Sequence, residues 1–279
     1  MILRANCKIN IGLNIIRRRE DGYHELETLC YPIKGLYDTI TLEQIKGREV
    51  EFLSKGRVVD CSIEDNLCVK AVRLMQSRYD IEGVRVTLDK RVPFGAGLGG
   101  GSADATEVIK GLNSLFSLNL DDETLIELAA QLGSDTALFV RNTPQLCMGR
   151  GEVLTASPLD LGHLWIVMVK PDIHISTRVA FSGVTPNPWQ TPLSTLLEQP
   201  IASWQESVVN DFETSIFPHA PLLAQIKSQL LKSRAIYASM SGSGSTVYGL
   251  YESEALAQHA LEFNLINASL VTLPLKLTR

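Results

Sequence analysis

The residues that point most directly to chemistry are five glycines among the eight positions from Gly95 to Ser102. Glycine lets the backbone turn freely and approach a ligand with no Cβ in the way. An apolar helical pattern follows at once, from Ala105 to Phe116. Free N–H groups and the dipole at a helix start favour a phosphate group. The run therefore predicts a phosphate-binding loop. A flexible surface loop is the alternative. However, ordering so many glycines costs conformational entropy, so their clustering in an ordered loop indicates a specific local role.

The spacing separates this loop from two common nucleotide motifs. No Gly-Lys-Ser/Thr follows, so the loop is not a Walker A sequence. Gly95, Gly97 and Gly100 match the dinucleotide fingerprint, but that fingerprint also needs an acidic residue after the next strand, about 20 residues on. Asp121 and Asp122 lie near this distance and begin a helical pattern instead. A Rossmann fold is therefore disfavoured.

The elements that must position these residues follow from hydrophobic periodicity. Residues 8–15 alternate strictly between apolar and polar, which predicts a strand whose polar face carries Lys8 and Asn10. Further strands are predicted at 37–43, 49–53, 84–89, 164–169, 235–240, 246–251 and 269–275. Helices are predicted at 65–79, after the glycine run, from Asp121 or Asp122 to Gly133, from Thr191-Pro192, and at 203–216, 221–232 and 253–263. This mixture predicts two α+β domains, which we place at residues 1–156 and 157–279.

Composition excludes several classes of protein. The chain has 279 residues, 26 Lys plus Arg and 31 Asp plus Glu, so its net charge of −5 disfavours a nucleic-acid binder. A small anionic substrate needs only a local positive pocket. The five cysteines have irregular spacing without C-x-x-C, which predicts free thiols in a reducing cytoplasm and no zinc site. Charged and polar residues interrupt the N-terminal segment, and 164–169 is too short to span a bilayer, so we expect a soluble cytoplasmic protein without a signal peptide or membrane partner.

Four separated motifs together resemble one family. The loop at 93–105, Pro-Phe-Gly-Ala-Gly-Leu-Gly-Gly-Gly-Ser-Ala-Asp-Ala, resembles the phosphate loop of the GHMP small-molecule kinases. Residues 4–15 and 239–246 resemble the first and third motifs of that superfamily. Residues 21–26, Asp-Gly-Tyr-His-Glu-Leu, resemble the GHMP kinases that phosphorylate the 2-hydroxyl of 4-diphosphocytidyl-2-C-methyl-D-erythritol in the non-mevalonate isoprenoid pathway. Residues 133–135, Gly-Ser-Asp, stand where that family has Gly-Ala-Asp.

The resemblance implies a two-domain GHMP kinase fold with the active site in the cleft between domains. It also implies ATP as phosphate donor and Mg2+ bridging phosphate oxygens. The implied ATP-binding residues are Pro93, Gly95, Ala96, Gly97, Leu98, Gly99, Gly100, Gly101 and Ser102, with Asn66 and Lys90 near the adenine. Ser102 could meet the metal or a phosphate oxygen, cap the following helix, or do both, and Asn66 could equally cap the helix after it.

Lys8 and Asp135 are the catalytic residues that the resemblance implies. From the pattern alone, Lys8 would lie on a solvated strand face and Asp135 would cap a helix. In the family, the lysine supplies a point charge near the acceptor hydroxyl and the γ-phosphate. A carboxylate close to a cation stays ionised and is a weak base. We therefore expect Asp135 to orient the hydroxyl and to accept its proton late in the transfer.

The resemblance also implies where a small substrate carrying a cytidine diphosphate would bind. Tyr23 would stack on the cytosine and His24 would hydrogen-bond it, although a Tyr-His pair after a turn more often packs a loop. Phe181 matches a second stacking aromatic, with core packing as its rival role. Asn10 would touch the erythritol part or a phosphate.

Residues 241–245 could be a simple hairpin turn, close against the phosphate loop, or meet the substrate diphosphate through Gly242 and Ser243. A monomer or weak homodimer is the family expectation. A GHMP kinase for mevalonate, homoserine or a sugar, and a nucleotide-binding protein without catalysis, are the rival interpretations.

Overall fold

The chain folds into two compact units, each assembled from separated segments. The computed structural model describes residues 1–188, 191–262 and 268–278. Unit 1 comprises Met1–Lys8, Leu36–Phe94 and Gly99–Thr143, and unit 2 comprises Ile9–Gly35, Gly95–Leu98 and the described part of Pro144–Arg279. The predicted boundary after residue 156 stays a prediction.

Unit 1 packs four helices with a strand ladder. The second half of β2 (His24–Ile45) pairs antiparallel with β4 (Gly83–Lys90), which pairs parallel with β3 (Val50–Gly56). The helices are α1 (Leu67–Arg78), α2 (Gly100–Leu115), α3 (Asp122–Ala130) and α4 (Leu138–Arg141). Side-chain caps explain two of the helix starts: Asn66 accepts from Cys68 N at 2.9 Å, and Asp121 accepts from Thr124 N at 2.9 Å. The helix α2, which follows the glycine run, packs against α1, α3 and α4.

Unit 2 contains two antiparallel ladders. The first half of β2 pairs with β5 (Gln145–Gly149), which pairs with β6 (Val153–Ala156). The second ladder has the order β10–β7–β9–β8, with β11 also on β7; its strands are β7 (Trp165–Pro171), β8 (Tyr237–Met240), β9 (Val247–Tyr251), β10 (Ala268–Val271) and β11 (Leu275–Lys276). The helices are α5 (Thr177–Ser182), α6 (Leu193–Leu197), α7 (Trp204–Ser207), α8 (Asp211–Ile216), α9 (Pro221–Lys232) and α10 (Glu254–Ala260), with a 3-10 turn at Ile201–Ser203.

Strand β1 (Ile2–Arg18) pairs with β2 and differs from the prediction in its burial. Every residue from 5 to 15 is buried, so the polar side chains of the strand are enclosed as well as the apolar ones. The interpretation of Lys8 as part of a solvated face is therefore wrong.

The predicted helix 203–216 is broken in the structure. It consists of the 3-10 turn, α7 and α8, separated at 208–210. Leu13 N donates to Val209 O at 2.8 Å, and Asn210 donates to Met240 O at 2.7 Å while its Oδ1 caps α8 by accepting from Phe212 N at 3.0 Å. These contacts from distant segments outweigh the local helical pattern.

Three other predicted elements have different bounds in the structure. The last strand divides into β10 and β11, because Thr272 bonds Met168 through both its backbone and its side chain and Pro274 has no N–H to donate. The helix from Thr191-Pro192 begins at Leu193, with Pro192 in the cap position. The last helix ends at Ala260 and residues 261 and 262 form a turn, while residue 263 of its predicted range lies outside the described residues.

Two further features bear on function. Within the described ranges, no helix combines the length and apolar character needed to cross a bilayer. All five cysteines are free thiols, and Cys61 alone among them is exposed.

Candidate functional site

The first half of the glycine loop is held by the β8–β9 connection in unit 2. Ser241 Oγ donates to Gly97 O at 2.8 Å, and Thr246 N donates to Ala96 O at 3.2 Å. Gly97 has φ +76°, and a Cβ there would lie 2.0 Å from Ser241 O, so only glycine fits. Residues 241–245 thus both join two antiparallel strands and close against the phosphate loop.

The second half of the loop begins helix α2 in unit 1. Gly99, with φ +66° in the left-handed region, is the N-cap and supplies no side-chain hydrogen bond. Ser102 is the third residue of the helix, so its expected role as N-cap is wrong. Its hydroxyl has no hydrogen-bond partner in the part of the chain that the structure describes. The first-turn N–H groups and this hydroxyl are suited to a phosphate anion.

Lys8 and Asp135 are brought together in unit 1. Lys8 Nζ lies 3.2 Å from Asp135 Oδ2, with side-chain exposures of 4% and 39%. The side chain of Lys8 passes beside Gly99, where a Cβ would lie 3.1 Å from Lys8 Cε. A buried ammonium therefore lies next to the start of α2, and its carboxylate partner remains accessible.

Asp135 does not cap a helix, which corrects the interpretation from sequence alone. The next helix, α4, begins at Leu138 with Ala137 as its N-cap position. The turn that carries Asp135 is held instead by its neighbour Thr136, whose Oγ1 donates to Gly133 O at 2.6 Å and whose carbonyl accepts from Thr106 Oγ1 at 2.7 Å. Because Thr106 is on α2, the same helix that begins at the glycine loop fixes the position of the carboxylate.

A mostly apolar cavity of about 180 Å³ lies beside this loop in unit 1. Its lining includes Asn66, Leu67, Phe94, Gly101 and Lys90. Asn66 caps α1 through Oδ1 and also lines the cavity, so the expected cap is confirmed and its contact with the adenine stays a prediction. An apolar cavity with a few polar groups is suited to a flat heteroaromatic base.

Lys90 is enclosed between two carboxylates that sequence reasoning missed. Its Nζ donates to Asp38 Oδ2 at 2.5 Å and to Asp104 Oδ2 at 2.6 Å, and all three side chains are 0–3% exposed. Asp38 Oδ1 also accepts from Arg91 N at 2.5 Å and Val92 N at 2.8 Å. One sequence signal was present, because Asp104 lies four residues before Val108 on the buried face of α2.

Protonation of Asp104 makes the net charge of this Lys90–Asp38–Asp104 cluster less negative. Burial, reinforced by Asp38 and opposed by Lys90, raises the pKa of Asp104 to about 8. Burial opposes the charge on Lys90, but its two carboxylate partners outweigh that effect and raise the pKa of Lys90. A cluster with one ammonium and two carboxylates approaches neutrality by retaining a proton on Asp104.

The residues expected to hold the cytosine share a second cavity, of about 740 Å³, in unit 2. His24 and Phe181 stack with ring centroids 4.9 Å apart, and Phe181 contacts Phe212 edge-on at 4.8 Å. Tyr23 is 57% exposed, and the Arg150 guanidinium lies 5.0 Å from its ring centroid. Burial, and then the charge of Arg18, lower the pKa of His24, which favours the neutral imidazole.

Asn10 lies in unit 2 beside the hairpin connection. Asn10 N donates to Ser241 Oγ at 3.2 Å, and its Nδ2 donates to Thr28 Oγ1 at 3.1 Å. Gly242 has φ +55°, and a Cβ there would lie 3.1 Å from Asn10 Oδ1. Ser243 is half-buried in the same connection. The structure therefore gathers Asn10, Gly242 and the first half of the phosphate loop.

Comparison with known proteins decides the family. The model of the GHMP kinases N terminal domain matches residues 66–142, and that of the GHMP kinases C terminal domain matches residues 194–267, together more than half of the chain. The chain belongs to the GHMP kinase family. The predicted α+β GHMP kinase fold is thereby confirmed. The N-terminal match contains the glycine loop and Asp135.

Several relatives of this GHMP kinase share one name. A protein of Bacteroides thetaiotaomicron named 4-diphosphocytidyl-2-C-methyl-D-erythritol kinase is 42% identical, over 91% of this chain and 93% of that protein. One of the same name from Cytophaga hutchinsonii is 39% identical, over 93% of this chain and 95% of that protein. A crystal structure of 4-(cytidine 5'-diphospho)-2C-methyl-D-erythritol kinase superposes with a TM-score of 0.81 at 32% identity, covering 94% of each chain. A mevalonate kinase of Methanococcus jannaschii, at 13% identity and TM-score 0.73, shows the fold alone.

Proposed function

We propose that this GHMP kinase transfers the γ-phosphoryl group of ATP to the 2-hydroxyl of 4-diphosphocytidyl-2-C-methyl-D-erythritol. The products are ADP and the 2-phosphate, and the reaction belongs to the non-mevalonate isoprenoid precursor pathway. Named relatives about 40% identical over some 90% of the chain support this assignment. The observation that carries it is the aromatic cavity with Tyr23, His24 and Phe181, because mevalonate, homoserine and sugars have no base to stack there.

The transfer step depends on Lys8 and Asp135. Phosphoryl transfer needs alignment and charge neutralisation more than covalent help from the protein. Asp135, 39% exposed, accepts a hydrogen bond from the acceptor hydroxyl and takes its proton late in the transfer. Lys8, held 3.2 Å from Asp135, supplies positive charge near the hydroxyl and the transferred group. Because the acceptor hydroxyl is tertiary and hindered, orientation matters more than activation.

The donor site uses the glycine loop and the cavity of unit 1. The backbone N–H groups of residues 95–102 bind the triphosphate, and the adenine occupies the cavity lined by Asn66 and Leu67. Lys90 also lines this cavity, and its ammonium stays bound to Asp38 and Asp104.

Mg2+ fits this site as an ion that arrives with ATP. No group of three metal-ligating side chains gathers within the described ranges, and Mg2+ prefers phosphate and water oxygens to an all-protein cage. The Ser102 hydroxyl would be the protein oxygen that holds it. When bound, the ion neutralises charge on the phosphate oxygens.

The test is substrate-dependent ADP release by the purified protein with Mg-ATP. We expect release with the cytidine-diphosphate substrate and none with mevalonate, homoserine or sugars. Asp135→Asn should lower turnover by about 10²–10⁴-fold with ATP affinity nearly unchanged. Asp80→Asn is the matched control, because this carboxylate in unit 1 is 99% exposed. Near-normal turnover by Asp135→Asn would contradict its role, and ADP release that requires mevalonate would contradict the substrate.

Other expectations complete the proposal. A monomer or weak homodimer, a cytoplasmic location and the absence of nucleic-acid and membrane partners remain predictions. The position of the active site in a cleft between domains also stays a prediction.

A further inference from the structure

The aromatic cavity of unit 2 contains two guanidinium groups in addition to its rings. Arg18 and Arg178 both line it, and both are exposed. Neither has an ion pair or a side-chain hydrogen bond within the described ranges. By contrast, Arg17 and Arg19, the chain neighbours of Arg18, are paired with Glu25 and Asp21. The cavity therefore carries two positive charges without counter-charges, in a protein whose net charge is −5.

The two arginines reach this cavity from different elements. Arg178 lies on α5, three residues before Phe181, so both side chains lie on one side of the helix. Arg18 is the last residue of β1. Its charge lowers the pKa of His24, in addition to the larger effect of burial. Stacking surface and positive charge are thus combined in one cavity of about 740 Å³.

This combination indicates the chemistry of the ligand. Aromatic rings stack on a base, whereas guanidinium groups form paired hydrogen bonds with phosphate oxygens. Two like charges in one cavity repel each other, and an anion between them relieves that repulsion. A nucleoside without phosphate would use the rings and leave the charges unmatched.

We propose that Arg18 and Arg178 bind the phosphates of a pyrimidine nucleoside diphosphate whose base stacks in the same cavity. They make the site selective for the phosphorylated nucleoside over the neutral one. The inference rests on the proposed function, since it concerns the same substrate site. It adds two specificity-determining residues that the motifs did not point to.

The experiment measures binding of cytidine, CMP and CDP by calorimetry to the wild type, Arg18→Gln and Arg178→Gln. Wild type should bind CDP at least about tenfold more tightly than cytidine, since a hydrogen bond to a charged group is worth about that factor. Each Gln variant should lose about tenfold in CDP affinity and keep its cytidine affinity within about twofold. The affinity of wild type for CDP should also fall with added salt more steeply than that of either variant.

Two further variants sharpen the result. Arg17→Gln is the matched control, because this side chain is 70% exposed and paired with Glu25, and it should change neither ligand's affinity. Arg178→Lys should recover only part of the CDP affinity, since lysine cannot make the paired contact. Retained cytidine binding shows that each variant is folded.

The outcomes distinguish the inference from the proposed function. Equal losses for cytidine and CDP, or wild-type CDP binding by both Gln variants, would overturn the inference while leaving substrate-dependent ADP release intact. Absence of binding by every cytidine ligand, together with ADP release on another acceptor, would overturn both.

Discussion

Replacing Lys90 with methionine should destabilise unit 1 strongly. The change keeps an apolar stem but removes the ammonium that lies 2.5 Å from Asp38 and 2.6 Å from Asp104. Removing one partner of a buried ion pair costs about 3–5 kcal/mol, because the other charge stays buried without compensation. Asp38 also accepts from the N–H groups of Arg91 and Val92, so it cannot turn away without losing two hydrogen bonds to the backbone just before the glycine loop. We therefore expect Lys90→Met to lose about 3–5 kcal/mol of unfolding free energy.

Asp104→Asn is the matched control for this variant. The pKa of Asp104 is raised to about 8, so at pH 7 the carboxyl retains its proton and an amide closely imitates it. We expect this isosteric change to leave the protein at least as stable as wild type at pH 7, because the folded state then holds no proton that the unfolded chain releases.

The assay is urea unfolding at pH 7, followed by circular dichroism, with ATP affinity measured on the folded variants. A Lys90→Met variant within about 1 kcal/mol of wild type, far below the cost of an unpaired buried charge, would refute the electrostatic account. So would an Asp104→Asn variant as unstable as Lys90→Met. If Lys90→Met were stable and only its ATP affinity fell, Lys90 would act on the nucleotide directly.

Two other predictions follow from the same unit and from the loop. The folded state holds the Asp104 proton up to a pKa of about 8, whereas the unfolded chain releases it near 3.8. As pH rises between these values, wild type should therefore lose unfolding free energy relative to Asp104→Asn, by at most about 1.4 kcal/mol per pH unit. Urea titrations at several pH values measure this difference. Gly97→Ala should abolish tight ATP binding and lower the melting temperature, since its Cβ would lie 2.0 Å from a backbone carbonyl. Gly101→Ala, whose Cβ would meet nothing closer than 3.7 Å, should melt no lower than wild type. A Gly97→Ala variant with the melting temperature and ATP affinity of wild type would show that the loop can move away.

Local patterns predicted those elements whose stability is mainly local. Helix α9 was predicted at 221–232 and is found there, because proline at its first position and an amphipathic pattern act within the segment. The helix predicted at 203–216 failed, because Asn210 is bound by Met240, which lies 30 residues further along the chain. No window of 15 residues contains that information.

The same limit applies to the candidate site. Motifs indicated Lys8 and Asp135, and the fold brings their charged atoms to 3.2 Å although the two residues are 127 positions apart in sequence. The partners of Lys90 were missed, since Asp38 is 52 residues away and belongs to no motif. Arg18 and Arg178 were missed for a similar reason, because only the folded cavity places them beside His24 and Phe181.

The glycines of the loop show which part of a motif serves the fold and which part serves a ligand. Gly97 is required by Ser241 O, and Gly100 by Val92, whose Cγ1 would lie 2.8 Å from an added Cβ. Gly101 has neither a positive φ nor a close neighbour, so the fold itself does not require glycine there. Yet Gly101 lines the cavity assigned to the adenine, where a side chain would take space from the ligand. Since glycine in a helix is about 1 kcal/mol less favourable than alanine, its presence in the first turn of α2 is best explained by the nucleotide.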